Sequence, residues 1–188
     1  MTKHIITSLL YTAITAVLLG IGYPLAVTAI AHVAFPDKAS GQLIRNASGD
    51  VIGSKLIGQA FTGPRYFHSR PSAAGTGYDA GGSSGSNFGP TSKALSDRVA
   101  QNIAAESNGA SVPVDLVTTS ASGLDPDITP AAAFYQVGRV AHERGLTREA
   151  VRQLVAEQVT PRQFGVLGEA RVNVLALNLK LDQRTTSK

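Results

Sequence analysis

Three side chains of the sequence stand in the order that α/β-hydrolases use for a catalytic triad. Ser83 lies in the pattern Gly81-x-Ser83-x-Gly85, and Asp125 and His142 follow it. That pattern needs a sharp turn between a strand and a helix, which exposes the serine hydroxyl to its base. Ser83 lies instead in a glycine- and serine-rich stretch. An anchored or secreted hydrolase that uses Ser83 is therefore kept only as an alternative.

The same stretch, residues 71–90, also contains the spacing Gly75-x-Gly77-x-x-Ala80 of a dinucleotide-binding loop. That chemistry requires a strand directly before the glycines and a helix directly after them. Arg70-Pro71-Ser72 precedes them and more glycine follows, so we interpret the stretch as a long surface loop. Loops of about 20 residues are uncommon in compact domains unless they are functional or disordered. A solute-binding domain that uses this loop is the second alternative.

The sequence Arg65-Tyr66-Phe67-His68-Ser69-Arg70 concentrates cationic and planar groups. Such groups suit contacts with carboxylates, carbonyls or a partner surface, although a strand with alternating exposed side chains would look the same. The four histidines of the chain are isolated from one another and there is no cysteine. No glycine-rich loop ends in the Lys of a nucleotide site. We expect no metal and no cofactor to be bound by this chain alone.

The element that precedes these groups is strongly apolar. Residues 5–35 contain no Asp, Glu, Lys or Arg, and about 20 apolar residues suffice to cross a hydrocarbon core of about 30 Å. We predict a single transmembrane helix over 5–35. A cleaved signal peptide ending at Ala29-Ile30-Ala31 would have a shorter apolar region, and a buried core helix would show a polar stripe.

Two further features of this segment bear on its surroundings. Lys3 precedes the span and no net charge follows it, which favours a cytoplasmic N-terminus and an extracytoplasmic domain over 36–188.

Small and weakly polar residues share one stripe of the helix, which predicts either packing against another transmembrane helix or hydroxyls bonded to their own backbone. These residues are Ser8, Thr12, Thr15 and Gly22. Pro24 is expected to kink the helix.

The rest of the chain fits one modest core. Its basic residues are scattered, so the isoelectric point near 9.6 does not indicate a nucleic-acid partner. We predict a hairpin from residues 42–45 and 51–57, helices starting near Ser92, Thr129 and Thr147, and strands over 114–119 and 172–181. Because strands and helices do not alternate regularly, the fold class is a mixed α+β domain with a small sheet.

Longer stretches of the sequence resemble a known family. LIGQAFTG at 56–63, YFHSRPSA at 66–73, SASGLDP at 120–126 and VNVLALNLKLD at 172–182 are similar, in order, to the C subunit of the bacterial Kdp-type potassium-transporting ATPase. The resemblance covers nearly the whole chain and includes the apolar span.

The resemblance implies an accessory subunit without catalytic chemistry of its own. Members of the family look like single-pass proteins of the inner membrane. They work beside a channel-like potassium-binding subunit and a P-type ATPase catalytic subunit. They are described as needed for assembly and as raising the ATP affinity of the catalytic subunit. ATP and potassium are thus expected to be handled by the complex.

The resemblance also marks individual positions. The residues we expect to make partner contacts or loop-fixing bonds are Arg70, Ser86, Asn87, Asp125, Gln136 and Arg139. Turns are expected at Gly85 and Gly123, a core position at Leu124, and strand-end hydrogen bonds from Asn173 and Asn178.

Overall fold

The computed structural model describes residues 1–186, which separate into two compact units, residues 1–52 and residues from 53 onward. The elements, in chain order, are α1 (Thr2–Val17), α2 (Tyr23–Ala34), α3 (Pro36–Ala39), β1 (Leu43–Arg45), β2 (Val51–Ser54), α4 (Lys93–Glu106), β3 (Asp127–Ile128), α5 (Pro130–Arg144), α6 (Arg148–Gln158), β4 (Val159–Thr160), β5 (Arg171–Asn173) and α7 (Val174–Thr186).

The first unit begins with the predicted apolar helix. A continuous helical stretch over Thr2–Ala34 is long and apolar enough to cross a membrane. A π-helical segment, Leu18–Gly22, lies between α1 and α2, directly before Pro24 in the first turn of α2. Proline lacks the N–H of a regular helix, and such wide turns are one way to accommodate it. The predicted hairpin follows as β1 and β2, but its second strand ends at Ser54 and not at residue 57.

The second unit is a mixed α/β domain. Its sheet has three antiparallel strands in the order β3-β5-β4, and Val172 at the centre of β5 is fully buried. Helices α5, α6 and α7 supply most of the other core residues, including Val140, Val155 and Leu177. The predicted fold class is therefore confirmed.

The caps of α5 and α6 follow from the sequence. The hydroxyls of Thr129 and Thr147 each accept a hydrogen bond from the backbone N–H three residues later, at 3.2 Å. Gly145 ends α5 in the left-handed region at φ 63°, where glycine carries no steric penalty. Both helices begin and end close to where the pattern predicts.

The predicted strand over 172–181 is wrong beyond residue 173. The chain turns into α7 there because the Asn173 side chain accepts a hydrogen bond from Ala176 N at 3.0 Å. The buried side chains of Val174, Leu177, Asn178 and Leu181 recur with helical spacing. The helical spacing was not recognised in the sequence, because one of its buried positions is the polar residue Asn178.

The predicted strand over 114–119 is also wrong. Val114–Leu116 form a 3-10 turn, and Val114 O accepts hydrogen bonds from Val117 N, Thr118 N and the Thr118 hydroxyl. These local bonds satisfy the backbone without a neighbouring strand. Leu116 and Val117 are both buried, which an alternating strand on one face of a sheet would not allow.

Candidate functional site

The family-like residues collect around a segment without regular secondary structure, residues 61–71, which we call the strap. Its Phe67 is fully buried in the core of the domain. The buried backbone at Phe67 has no neighbouring strand to bind its polar groups, so side chains must do so. The strap is therefore not the exposed strand considered for residues 65–70.

Two side-chain amides hold the middle of the strap. Asn178 accepts from Phe67 N at 2.9 Å and donates to Phe67 O at 3.0 Å. Gln136 accepts from His68 N at 2.7 Å and donates to His68 O at 3.2 Å. Both amides are 1% exposed. Each amide thus replaces the pair of hydrogen bonds that a neighbouring strand would supply. Asn178 does so from within α7, not from the predicted strand end.

Two arginines of α5 hold the first half of the strap. Arg139 donates to Pro64 O at 2.6 Å and Tyr66 O at 2.9 Å, and to the Gln136 side chain at 2.6 Å. Arg144 donates to Arg65 O at 2.8 Å and to the Asp182 carboxylate at 2.7 Å, with its guanidinium over the Tyr66 ring. Burial lowers the pKa of Arg139, although Glu106 and Glu143 oppose that shift. The predicted pair Gln136 and Arg139 thus acts on the domain's own backbone.

Arg70 ties the end of the strap to the turn that contains Asp125. Its guanidinium lies 3.2 Å from the Asp125 carboxylate and 3.3 Å from Thr119 O. The other Asp125 oxygen accepts from Asp127 N at 3.0 Å, just as β3 begins. Two of the predicted residues are therefore brought together, and they join the strap to the sheet.

The glycine-rich loop is ordered by the same turn. Ser72 donates to Gly123 O at 2.6 Å and accepts from Tyr78 N at 2.8 Å, while the Tyr78 hydroxyl donates to Arg70 O. Burial is the main reason that the pKa of Tyr78 is raised. Ser84 N donates to Ser122 O at 2.9 Å. The loop thus packs on the turn through hydrogen bonds and contains no strand or helix.

Gly123 shows how close that packing is. Its φ is +66°, and a Cβ there would lie 2.5 Å from Ser84 O and 2.8 Å from Ala74 N. Both neighbours are backbone atoms, so neither can move aside as a side-chain end would. The turn predicted at this position is confirmed, and the backbone requires glycine for two independent reasons.

His68 and Glu106 form the remaining polar pair of the strap. His68 Nδ1 lies 2.6 Å from Glu106 Oε1 and His68 Nε2 lies 3.1 Å from Gly63 O. Burial raises the pKa of Glu106, but the hydrogen bond and charge of His68, with the charge of Arg139, lower it more, so it lies below its ordinary value. Sequence inspection missed this link between α4 and the strap, because His68 and Glu106 are 38 residues apart.

An open cavity of about 410 Å³ lies beside this pair. His68, Arg70, Tyr78 and Glu106 supply polar atoms to its wall, and Phe61 and Leu116 supply apolar ones. Several of these polar atoms already hydrogen-bond to the strap or to each other. Their arrangement serves first to position the strap.

The catalytic triad of the hydrolase alternative is not assembled. The Ser83 hydroxyl donates to Ser122 O at 3.0 Å, Asp125 pairs with Arg70, and His142 is exposed with its Nδ1 3.1 Å from Glu143. Each member thus has a different partner. No strand directly precedes Gly75 and no helix directly follows Gly77, since the next helix begins at Lys93, which agrees with the interpretation of this stretch as a loop and not as a dinucleotide site.

Other predicted residues lie apart from the strap. Asn87 is exposed with a left-handed backbone at φ 53°, a conformation that Asn tolerates. Within residues 1–186, neither its side chain nor that of Ser86 makes a hydrogen bond. In α1, the hydroxyls of Ser8 and Thr15 bond to backbone carbonyls of their own helix. A packing role for Ser8, Thr12, Thr15 and Gly22 stays a prediction.

These observations define a class of protein: an α/β domain that follows a helix long and apolar enough to cross a membrane, and whose most buried polar side chains hold its own backbone. Comparison with known proteins specifies the family. Residues 5–183 match the family model of the K⁺-transporting ATPase c chain, KdpC. The chain therefore belongs to the KdpC family, and it has an accessory role in potassium uptake.

Individual relatives agree with this assignment. The chain is 65% identical to the potassium-transporting ATPase KdpC subunit of Acidobacterium capsulatum, covering 96% of this chain and 98% of that one. It is 60% identical to the corresponding subunit of Koribacter versatilis, covering 97% and 95%. The subunit of Caulobacter vibrioides is 52% identical, covering 98% and 95%.

Proposed function

We propose that the chain is a single-pass accessory subunit that stabilises an ATP-driven potassium uptake pump. Its partners in this proposal are a channel-like potassium-binding subunit and a P-type ATPase catalytic subunit. The observation that carries the proposal is the family match, which includes the apolar helix as well as the domain. The buried amide and guanidinium contacts of the strap support it, because they favour a rigid docking domain over a reactive site.

The orientation is part of the proposal. Lys3 before the span and the lack of net charge after it favour a cytoplasmic N-terminus in the inner membrane. The domain would then face the outside, where it could steady or cap the potassium entrance. Any effect on the ATP affinity of the catalytic subunit would be transmitted through conformational coupling, with neither nucleotide nor metal held by this chain.

Affinity capture tests the assembly. A tagged chain is recovered from detergent-solubilised membranes of its own potassium-starved host, and the proteins that accompany it are identified. Recovery of a large polytopic protein with a P-type ATPase is the expected result. Recovery of the chain alone, from the soluble periplasmic fraction and shortened near His32, would contradict the proposal and indicate a cleaved signal.

The absence of cysteine from the sequence gives a direct test of orientation. Gln153 is exposed on α6, so Gln153→Cys should react with a membrane-impermeant maleimide in intact spheroplasts. Lys3→Cys should react only after the membrane is opened. The reverse pattern would overturn the proposed orientation without affecting the family assignment.

A further inference from the structure

Three apolar side chains are exposed at the turn between β4 and β5, residues 162–168, which we call the apolar tip. Phe164 is 88% exposed, Val166 72% and Leu167 57%. Single exposed apolar residues are normal on a protein surface, but a cluster of large ones indicates an interaction site. The core of the domain does not use these side chains.

The apolar tip is held in one shape by its own backbone. Gln163 and Leu167 exchange two hydrogen bonds of 2.8 and 2.9 Å, and Gly165 N donates to Arg162 O at 3.1 Å. An ion pair of 2.6 Å between Arg162 and Glu169 closes its base. A surface that is already ordered loses little conformational entropy when it binds.

Phe164 adopts a backbone conformation that its side chain does not favour. Its φ is +54°, in the left-handed region where a bulky residue is a genuine outlier. Asn or Gly would occupy this position with less strain. Because the exposed ring makes no core contact to offset that cost, the ring is best explained by something outside the domain.

The charges near the apolar tip favour a protein over a lipid surface. Loops that bind membranes combine apolar side chains with unpaired Lys or Arg, which attract anionic headgroups. Within residues 159–173 the two basic side chains are both paired, Arg162 with Glu169 and Arg171 with Asp127. The tip therefore presents apolar area without a free positive charge.

We infer that the apolar tip inserts Phe164 into an apolar pocket on another protein chain of the potassium transporter. This inference rests on the proposed function for the existence of that partner, and it adds the surface used. Aromatic side chains buried at the centre of an interface typically dominate its affinity. Val166 and Leu167 flank Phe164 and would exclude water from around it.

The variant Phe164→Asn separates binding from folding. Asn suits the left-handed backbone, so the full-length chain in detergent should melt at the same temperature as the wild type or higher. Its captured partner subunits should dissociate at least about tenfold faster. Val114→Asn is the matched control, because Val114 is also apolar and 68% exposed but lies outside the tip. Equal dissociation for Phe164→Asn and wild type would overturn the inference.

Photocrosslinking identifies the occupant directly. A benzophenone-bearing phenylalanine replaces Phe164 in the full chain, and membranes of the host are irradiated. An adduct with a subunit of the potassium transporter supports the inference, whereas an adduct with any other polypeptide or with lipid, or no adduct, overturns it. A wild-type chain that captures no transporter subunit would instead count against the proposed function, so the two failures are distinguishable.

Discussion

Asn178 and Phe67, 111 residues apart in the sequence, are joined by two hydrogen bonds between a side-chain amide and a backbone peptide group, with N–O distances of 2.9 and 3.0 Å. The amide lies on α7, and the peptide group lies at the buried centre of the strap. Both groups are shielded from water. If one of them were removed, the other could not form a replacement hydrogen bond with solvent. This contact and its counterpart between Gln136 and His68 fix how the strap crosses the core.

Replacing Asn178 should therefore destabilise the domain strongly. Asn178→Leu keeps the branched shape of the side chain but leaves Phe67 N–H and C=O without partners, which should cost about 2–4 kcal/mol of unfolding free energy. Chemical denaturation of the full-length chain in detergent, followed by circular dichroism, measures the change. Gln153→Leu, on the exposed face of α6, should stay within about 0.5 kcal/mol of wild type. Similar losses for both variants would contradict the role given to Asn178.

The two glycines Gly123 and Gly145 offer a matched comparison. Both have a left-handed backbone, at φ +66° and +63°, but a Cβ at Gly123 meets backbone atoms at 2.5 and 2.8 Å whereas one at Gly145 meets nothing within 4 Å. Gly145→Ala should cost about 1–2 kcal/mol from conformation alone. Gly123→Ala should cost at least about twice that, because the glycine-rich loop must also move away from its turn. Equal costs would show that the loop does not pack there in solution.

Asp125→Ala tests whether the strap serves assembly. The change removes the partner of Arg70 and the acceptor of Asp127 N. Since losses of about 1–2 kcal/mol can change the amount of folded protein several-fold, the yield of assembled complex should fall several-fold. Potassium-stimulated ATP hydrolysis per assembled complex should stay close to wild type. Normal assembly with abolished turnover would instead place Asp125 in the transport mechanism.

Much of the domain could be predicted from local sequence. Thr129-Pro130 and Thr147 mark helix starts by capping, and Gly145 marks a helix end by its conformational freedom, so α5 and α6 follow from neighbouring residues alone. The apolar span follows from the absence of charge over 5–35. Such features require no knowledge of distant parts of the chain.

The roles of Asn178 and Glu106 could not be predicted, because both depend on contacts between distant parts of the chain. Asn178 faces the core because Phe67 needs its amide, and that need cannot be seen in residues 172–181. Similarly, Glu106 is polar and lies at the end of α4, and its pairing with His68 depends on where the strap passes. The sequence resemblance marked Arg70, Asp125, Gln136 and Arg139 as partner-contact or loop-fixing candidates, but it did not indicate which groups they bind. Their geometry does.

Glu106 should make the stability of the domain depend on acidity. In the folded chain the pKa of Glu106 lies below its ordinary value of 4.5, because the hydrogen bond and charge of His68, with Arg139, outweigh the effect of burial. The ionised form therefore stabilises the fold fully above about pH 4.5, and that contribution is lost as the pH falls through the folded pKa. The pKa of Asp127 is raised, mainly by burial. Ionisation of Asp127 therefore destabilises the fold, so its effect on the free energy of unfolding opposes that of Glu106 as the pH changes.

Glu106→Gln should remove the pH dependence of stability that Glu106 contributes. The variant should be less stable than wild type at pH 7, and the difference should shrink as the pH falls from about 5 to 3, by at most about 1.4 kcal/mol per pH unit. Denaturant unfolding of the full-length chain at several pH values measures it. Asp97→Asn is the control, because the Asp97 side chain is 52% exposed and, among the described residues 1–186, pairs only with the exposed Lys93, and its curve should run parallel to wild type. A constant difference between Glu106→Gln and wild type over that range would mean that His68 does not favour the ionised carboxylate, and that α4 is joined to the strap by packing alone.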